Sequence, residues 1–331
     1  MSAPGFTNLL SKADEILSSL NRNAYVVIEN AISDSDLSSI LAETSIQKVR
    51  VNPNDLGSSF HGPTQFFTNI IAHSKIVHDL IISPFVLDIC SAYLGSDFQL
   101  VNNRIQTTRA NIAMPWHTDN NLLINGKLLG RHNMPGLQFV LYLTNISSSP
   151  FQLIKDSHQW SLNHKSQYLT DKDIRDSNLE VVELTPSPGS LLILNTHLFH
   201  RAAPFTNSNY TRSILLFQAD QISPDYPEHG EKLLVNTEFL SGMNPRISTF
   251  LGFGRKRCNP PFPESSSATL NLNTFLLLQL RLFKVFPHII AKQLLKKLLP
   301  HYFLTLFKNL VVANRTSPST LGLPSNPYLD S

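Results

Sequence analysis

From Phe98 onward the chain breaks into short runs of Val, Ile, Leu, Phe and Thr divided by turn residues, and this texture limits the fold more than any other feature. The runs are FQLVNNRIQTTRAN (98–111), LQFVLYLTNI (137–146), FQLIKD (151–156), LEVVELTP (179–186), GSLLILNTH (189–197) and RSILLFQAD (212–220). Asn125-Gly126, Pro135-Gly136 and Pro188-Gly189 punctuate them. Branched and aromatic side chains pack well on a pleated surface, and Gly, Pro and Asn supply the backbone angles of tight turns. Several short strands at such spacing predict an antiparallel sandwich or barrel, jelly-roll type included.

The first third reads differently. Residues 8–20 form an amphipathic helical pattern, AYVVIEN (24–30) is a strand, and SDSDLSSILAETS (33–45) opens with helix-capping chemistry at Ser33 or Asp34. Residues 75–93 look helical, divided at Pro84, whose ring removes an N–H and clashes with the preceding turn. The expected organisation is a domain over 1–264, with its β core at about 98–222, and a C-terminal extension over 265–331.

Charge separates the same two parts. From Ser265 to Leu329 there is no Asp or Glu but there are seven Lys or Arg, so with Asp330 the extension carries +6. The whole chain is +3, which leaves −3 on residues 1–264 and no basic surplus there for nucleic acid. Two cysteines, Cys90 and Cys258, give neither a disulfide framework nor a zinc cluster and fit a reducing compartment. The N-terminus has no apolar signal-like stretch, and no run approaches the roughly 18 apolar residues of a spanning helix. A soluble cytoplasmic protein is the expectation. The extension is itself apolar with interspersed lysines. It reads as helices packed on the body or a second subunit, or as an interfacial segment making peripheral membrane contact.

The chemistry concentrates in MPWHTDNN (114–121). An isolated His-x-Asp is weak, but on a strand positions i and i+2 face one way, so His117 and Asp119 are expected to converge. A histidine from a distant strand would complete a two-histidine, one-carboxylate triad, the ligand set of non-heme Fe(II) oxygenases. PGSLLILNTHLFHRAAP (188–204) offers His197 and His200. Arg212 opens a strand twelve residues after His200, and a guanidinium suits the distal carboxylate of 2-oxoglutarate through two parallel hydrogen bonds. Taken together, the pattern is far more specific than any of its parts.

With these residues the chain resembles the phytanoyl-CoA dioxygenase family of Fe(II)/2-oxoglutarate-dependent oxygenases. NAYVVIENAISDSDLSSI looks like the family's opening strand and helix, PWHTDN like its Trp-His-x-Asp stretch, and PGSLLILNTHLFHRAAPFTNSNYTRSILLFQ like its distal half. The resemblance covers about residues 20–225. It implies a mainly β fold with flanking α-helices and a double-stranded β-helix (jelly-roll, cupin-like) core. It implies His117, Asp119 and His200 as iron ligands, with His200 preferred over His197, and Arg212 on 2-oxoglutarate. It also implies O2 as oxidant, release of succinate and CO2, and hydrogen removal from an unactivated C–H bond. Retention of Asp119 argues against chlorination, because the related halogenases lack this carboxylate. Two departures stand out: Lys155-Asp156 replaces Pro-Gly in a turn, and Thr118 stands where glutamine is common.

Alternation adds pocket residues. In GLQFVLYLTN, Gln138, Val140, Tyr142 and Thr144 share one face, and Leu137, Phe139, Leu141 and Leu143 the other. The more polar face is expected to line the barrel, with Gln138 and Tyr142 toward the cosubstrate and Thr144 toward the substrate. Gln106 and Arg109 precede the motif, where the family often has cosubstrate or substrate contacts. The expected activity is hydroxylation of a small or lipid-like molecule. The same cofactors also serve desaturation, cyclisation or epimerisation, and a jelly roll that has lost catalysis would act as a binding module. No motif in the loops around 52–66, 121–136 and 225–262 names a substrate.

Overall fold

The computed structural model describes residues 5–44, 64–95, 97–109, 115–119, 123–124, 127–128, 135–160, 168–206, 210–222, 233 and 235–253. The extension over 265–331, Cys258, most of the three loops just named and the turn Asn125-Gly126 lie outside them. Among the described residues the helices are α1 (Ala13–Asn23), α2 (Asp34–Glu43), α3 (Lys75–Ile81), α4 (Pro84–Leu94), α5 (Asp171–Asp176) and α6 (Pro245–Phe250). The strands are β1 (Tyr25–Ile28), β2 (Thr64–Thr68), β3 (Phe98–Arg109), β4 (Trp116–His117), β5 (Leu123–Ile124), β6 (Lys127–Leu128), β7 (Gly136–Tyr142), β8 (Phe151–Ile154), β9 (Tyr168–Leu169), β10 (Val181–Leu184), β11 (Leu191–Asn195), β12 (His200–Ala202) and β13 (Thr211–Gln221).

Two antiparallel sheets hold all of them but the β5–β6 pair. The larger runs β1-β11-β7-β13-β3-β2 and the smaller β10-β8-β12-β4-β9, the paired sheets of a jelly roll. Each predicted run in the β core became a strand. The strands that the sequence concealed are short: β2, β5, β6, β9 and β12 have two to five residues each, too few for alternation to stand out.

The larger sheet separates two apolar layers by strand parity. Leu137, Phe139 and Leu141 of β7, Ile193 of β11 and Phe217 of β13 join the core that packs against α1, α3 and α4. Val140 and Tyr142, Leu192 and Leu194, and Ile214 and Leu216 point the other way, toward the second sheet, in their own cluster. The expected alternation of β7 therefore holds from Gln138 to Leu143.

Local chemistry sets the helix boundaries. Ser33 Oγ accepts the Asp36 N–H at 3.1 Å and starts α2. Ser83 caps α4 and Pro84 takes its first turn, where no N–H is required. Residues Lys75–Leu94 are long and apolar enough for a membrane span by length and mean hydropathy, contrary to the expectation that no run comes near. The chain breaks there into α3 and α4, whose apolar side chains lie in the core. Gly189, at φ +82°, forms the turn before β11, where its N–H donates to Tyr142 O at 2.8 Å. A side chain there would be strained in that left-handed backbone.

Phe139 and Phe217 stack at 4.6 Å between ring centroids and are fully buried. Phe139→Ala is expected to destabilise the fold by about 3–5 kcal/mol, read as a lower denaturation midpoint at unchanged slope.

Candidate metal centre

The cavity lies between the two sheets, and three short segments meet at it. β12 pairs with β4 through one residue pair, His200↔His117, and β4 pairs in turn with β9. The polypeptide reaches β12 by leaving the larger sheet at the end of β11 and turning through Thr196–Phe199 into the smaller one. His200 thus sits on a strand of its own. Asp119 departs from expectation, because β4 ends at His117 and the carboxylate lies two residues past it. Other bonds hold it there. The Asp119 N–H donates to Thr196 O at 3.1 Å, and Gln138 Nε2 donates to Oδ2 at 2.7 Å.

His117, Asp119 and His200 bring one potential ligand atom each to within 4.8 Å of one another. His117 Nε2 is 3.7 Å from Asp119 Oδ1, and His200 Nε2 is 3.6 Å from Oδ2. Both rings are oriented by backbone carbonyls: His117 Nδ1 lies 2.8 Å from Pro115 O and His200 Nδ1 lies 2.9 Å from Leu198 O. A carbonyl only accepts, so each Nδ1 carries a proton and each Nε2 is directed toward Asp119. Burial, with the neighbouring His200 adding to it, lowers the His117 pKa to about 4 against the opposing pull of Asp119. The ring is therefore neutral at neutral pH, the form that ligates metal. Phe151 stacks on His200 at 5.3 Å and fixes its ring plane further.

A cationic end closes the cavity. Arg212, 5% exposed, lines it together with Tyr142. Its Nη1 donates to Ser149 O at 2.6 Å and approaches Ser149 Oγ at 3.3 Å. The Tyr142 hydroxyl is buried, beside Arg212, without a hydrogen-bond partner. Burial pushes the phenol pKa up, so it stays a donor. Unpaired buried hydroxyls are costly and rare.

The other predicted residues divide. Gln106 and Gln138 line the cavity. Thr144 does not: it lies beyond β7, and its hydroxyl accepts the Ser213 N–H at 3.0 Å. Arg109 ends β3 opposite Thr211, and its side chain is outside the described part. His197 occupies the corner before β12, apart from the three converging groups. Arg104 also lines the cavity and escaped the sequence reading. Its signal was its place two residues before Gln106 on one strand, hence on one face. Lys155-Asp156 makes the expected turn after β8. Asp156 takes a left-handed backbone, φ 57° and ψ 7°, which Asp tolerates better than most residues.

The family model for phytanoyl-CoA dioxygenase (PhyH) matches residues 20–214. A search of curated protein sequences finds no match. Among solved structures, HygX from Streptomyces hygroscopicus, crystallised with nickel, 2-oxoglutarate and hygromycin B, is similar at 15% identity and a TM-score of 0.50, covering 66% of this chain and 95% of that one. The non-heme alpha ketoglutarate dependent carbocyclase SnoK from nogalamycin biosynthesis is 15% identical with a TM-score of 0.48, over 66% and 93% of the two chains. The first of these likenesses supports the jelly-roll fold, and the family match spans both halves of the convergent site. The chain belongs to the phytanoyl-CoA dioxygenase family of Fe(II)/2-oxoglutarate-dependent oxygenases.

Proposed function

We propose that the protein hydroxylates an unactivated C–H bond of a small or lipid-like molecule, with Fe(II) held by His117, Asp119 and His200. The observation that carries this reading is the convergence of two imidazole Nε2 atoms and one carboxylate in a cavity whose other polar end is Arg212. Two imidazoles and a carboxylate would hold iron while leaving room on it for a cosubstrate and O2. Iron in this ligand set supplies oxidative decarboxylation of 2-oxoglutarate to succinate and CO2, with oxidation of the substrate.

The residues do the remaining work. Arg212 and Tyr142 hold the distal carboxylate: a guanidinium gives charge-assisted bonds, and the unpartnered hydroxyl gains an acceptor. Ser149 fixes Arg212 from behind. Gln138 fixes Asp119, and the two backbone carbonyls fix the rings, so the ligands need little rearrangement to bind an ion. Val140, Ile214 and Leu216 give the cavity a dry wall.

The reading is tested by anaerobic titration with Fe(II) and 2-oxoglutarate, following the weak visible charge-transfer band of the chelate. Wild type is expected to develop the band, and Asp119→Ala, His117→Ala and His200→Ala to lose it. No band in folded wild type would overturn the assignment. Arg212→Ala is expected to keep the iron while the apparent 2-oxoglutarate requirement rises roughly ten- to a hundredfold, for about 1.5–3 kcal/mol lost with a charged hydrogen bond. Tyr142→Phe is expected to raise that requirement several-fold while leaving thermal stability unchanged or higher, because it removes a buried hydroxyl without a partner. A lower melting temperature with an unchanged requirement would place the hydroxyl in the fold instead.

A further inference from the structure

The two histidines share one face of the smaller sheet, and a second row of side chains crosses its other face directly behind them. Strand alternation requires this arrangement. With His200 opposite His117 in an antiparallel pair, Arg201 lies opposite Trp116. Arg201 is also registered with Gln152 of β8, and Gln152 with Glu183 of β10.

This outer row is bonded from end to end. Gln152 Nε2 donates to Glu183 Oε2 at 2.9 Å, and Arg201 Nε donates to Gln152 Oε1 at 2.8 Å. The Arg201 guanidinium lies over the Trp116 ring, 4.4 Å from its centroid. Arg201 Nη1 and Trp116 Nε1 both donate to Asp171 Oδ1, at 2.8 and 3.0 Å. Asp171 is the first residue of α5, two positions past the end of β9, so the row crosses four strands and ends on that helix. Burial opposes the charge on Asp171, but the Trp116 N–H and Arg201 outweigh it and hold the carboxyl below its usual pKa.

The row matters because the backbone joins the two histidine strands to each other at one point only. β4 has two residues and β12 three, and a single pair registers them. A surface ion pair stabilises little by itself. Here, however, the cation is stacked on a ring that is 1% exposed, and desolvation strengthens such contacts. We infer that Arg201, Trp116 and Asp171 are positioning residues, a clamp behind the sheet that sets the spacing of His117 and His200 for the metal. The inference rests on the metal reading of the cavity given above.

Co(II) alone is the probe, with affinity and coordination geometry read from its visible d–d absorption, and folding followed separately by circular dichroism and thermal melting. Arg201→Met and Asp171→Ala are each expected to raise the Co(II) dissociation constant roughly 10- to 100-fold, the range for residues that hold metal ligands in place, and to shift the d–d band. Arg201→Lys, which keeps a cation over the ring, is expected to restore part of the affinity. Ile193→Val, a core control distant from the row, is expected to leave affinity and band unchanged whatever it does to the melting temperature. Wild-type affinity and spectrum in folded Arg201→Met and Asp171→Ala would overturn the clamp. If Arg201→Met does not fold, Asp171→Ala decides alone, since its side chain is 56% exposed. Wild type that binds no Co(II) would overturn the metal reading itself, an outcome distinct from a clamp that proves dispensable.

Discussion

The pairing of His200 with His117 is the contact on which the rest of the site depends. It is one residue pair between two very short strands, yet it places two imidazoles 4.5 Å apart, ring centre to ring centre. An isolated pair of this kind is marginal, because so few hydrogen bonds do not offset the entropy of ordering the strands. The surrounding structure makes it persist. β8 and β9 flank the pair within the sheet, the Thr196–Phe199 corner delivers His200, and the Phe199 N–H is held by Ser157 Oγ at 2.9 Å.

The larger sheet plays the opposite part. Its central strands β3 and β13 are long and register over eleven pairs, and its helix-facing side is packed with aliphatic and aromatic side chains. It is the stiff wall, and it carries Arg212, Tyr142, Gln138 and Gln106 on one face at fixed intervals. Stability and recognition thus come from the same strands through opposite parities. A cavity between a stiff sheet and a small sheet of short strands gives the Arg212 end rigid support and makes the His117 and His200 strands more dependent on side-chain bonds.

Polar groups around the cavity are paired with few exceptions. Asp119, His117, His200 and Arg212 each have a bond that fixes orientation and leaves another atom directed at the cavity. The Tyr142 hydroxyl breaks this pattern. A buried donor without a protein partner gains from an acceptor that enters the cavity, and a carboxylate is such an acceptor.

The sequence by itself determined the class of fold, because runs of β-formers between turn residues leave few ways to bury their apolar faces. It also determined which residue types stand at which spacing: His117 and Asp119, then His200, then Arg212. The parity of β7 was legible for the same reason, since period-two alternation survives in a strand of seven residues. The sequence favoured His200 over His197 through the family resemblance alone, and it placed Asp119 on a strand that ends at His117. Only the tertiary structure decided these points. The corner after β11 sends one histidine into the smaller sheet and leaves the other in the turn, and Thr196 and Gln138, distant in sequence, hold the carboxylate in place. Such contacts join segments that no local pattern relates. Trp116, Arg201 and Asp171 were each visible as letters, but their common face exists only once β4, β9 and β12 lie side by side.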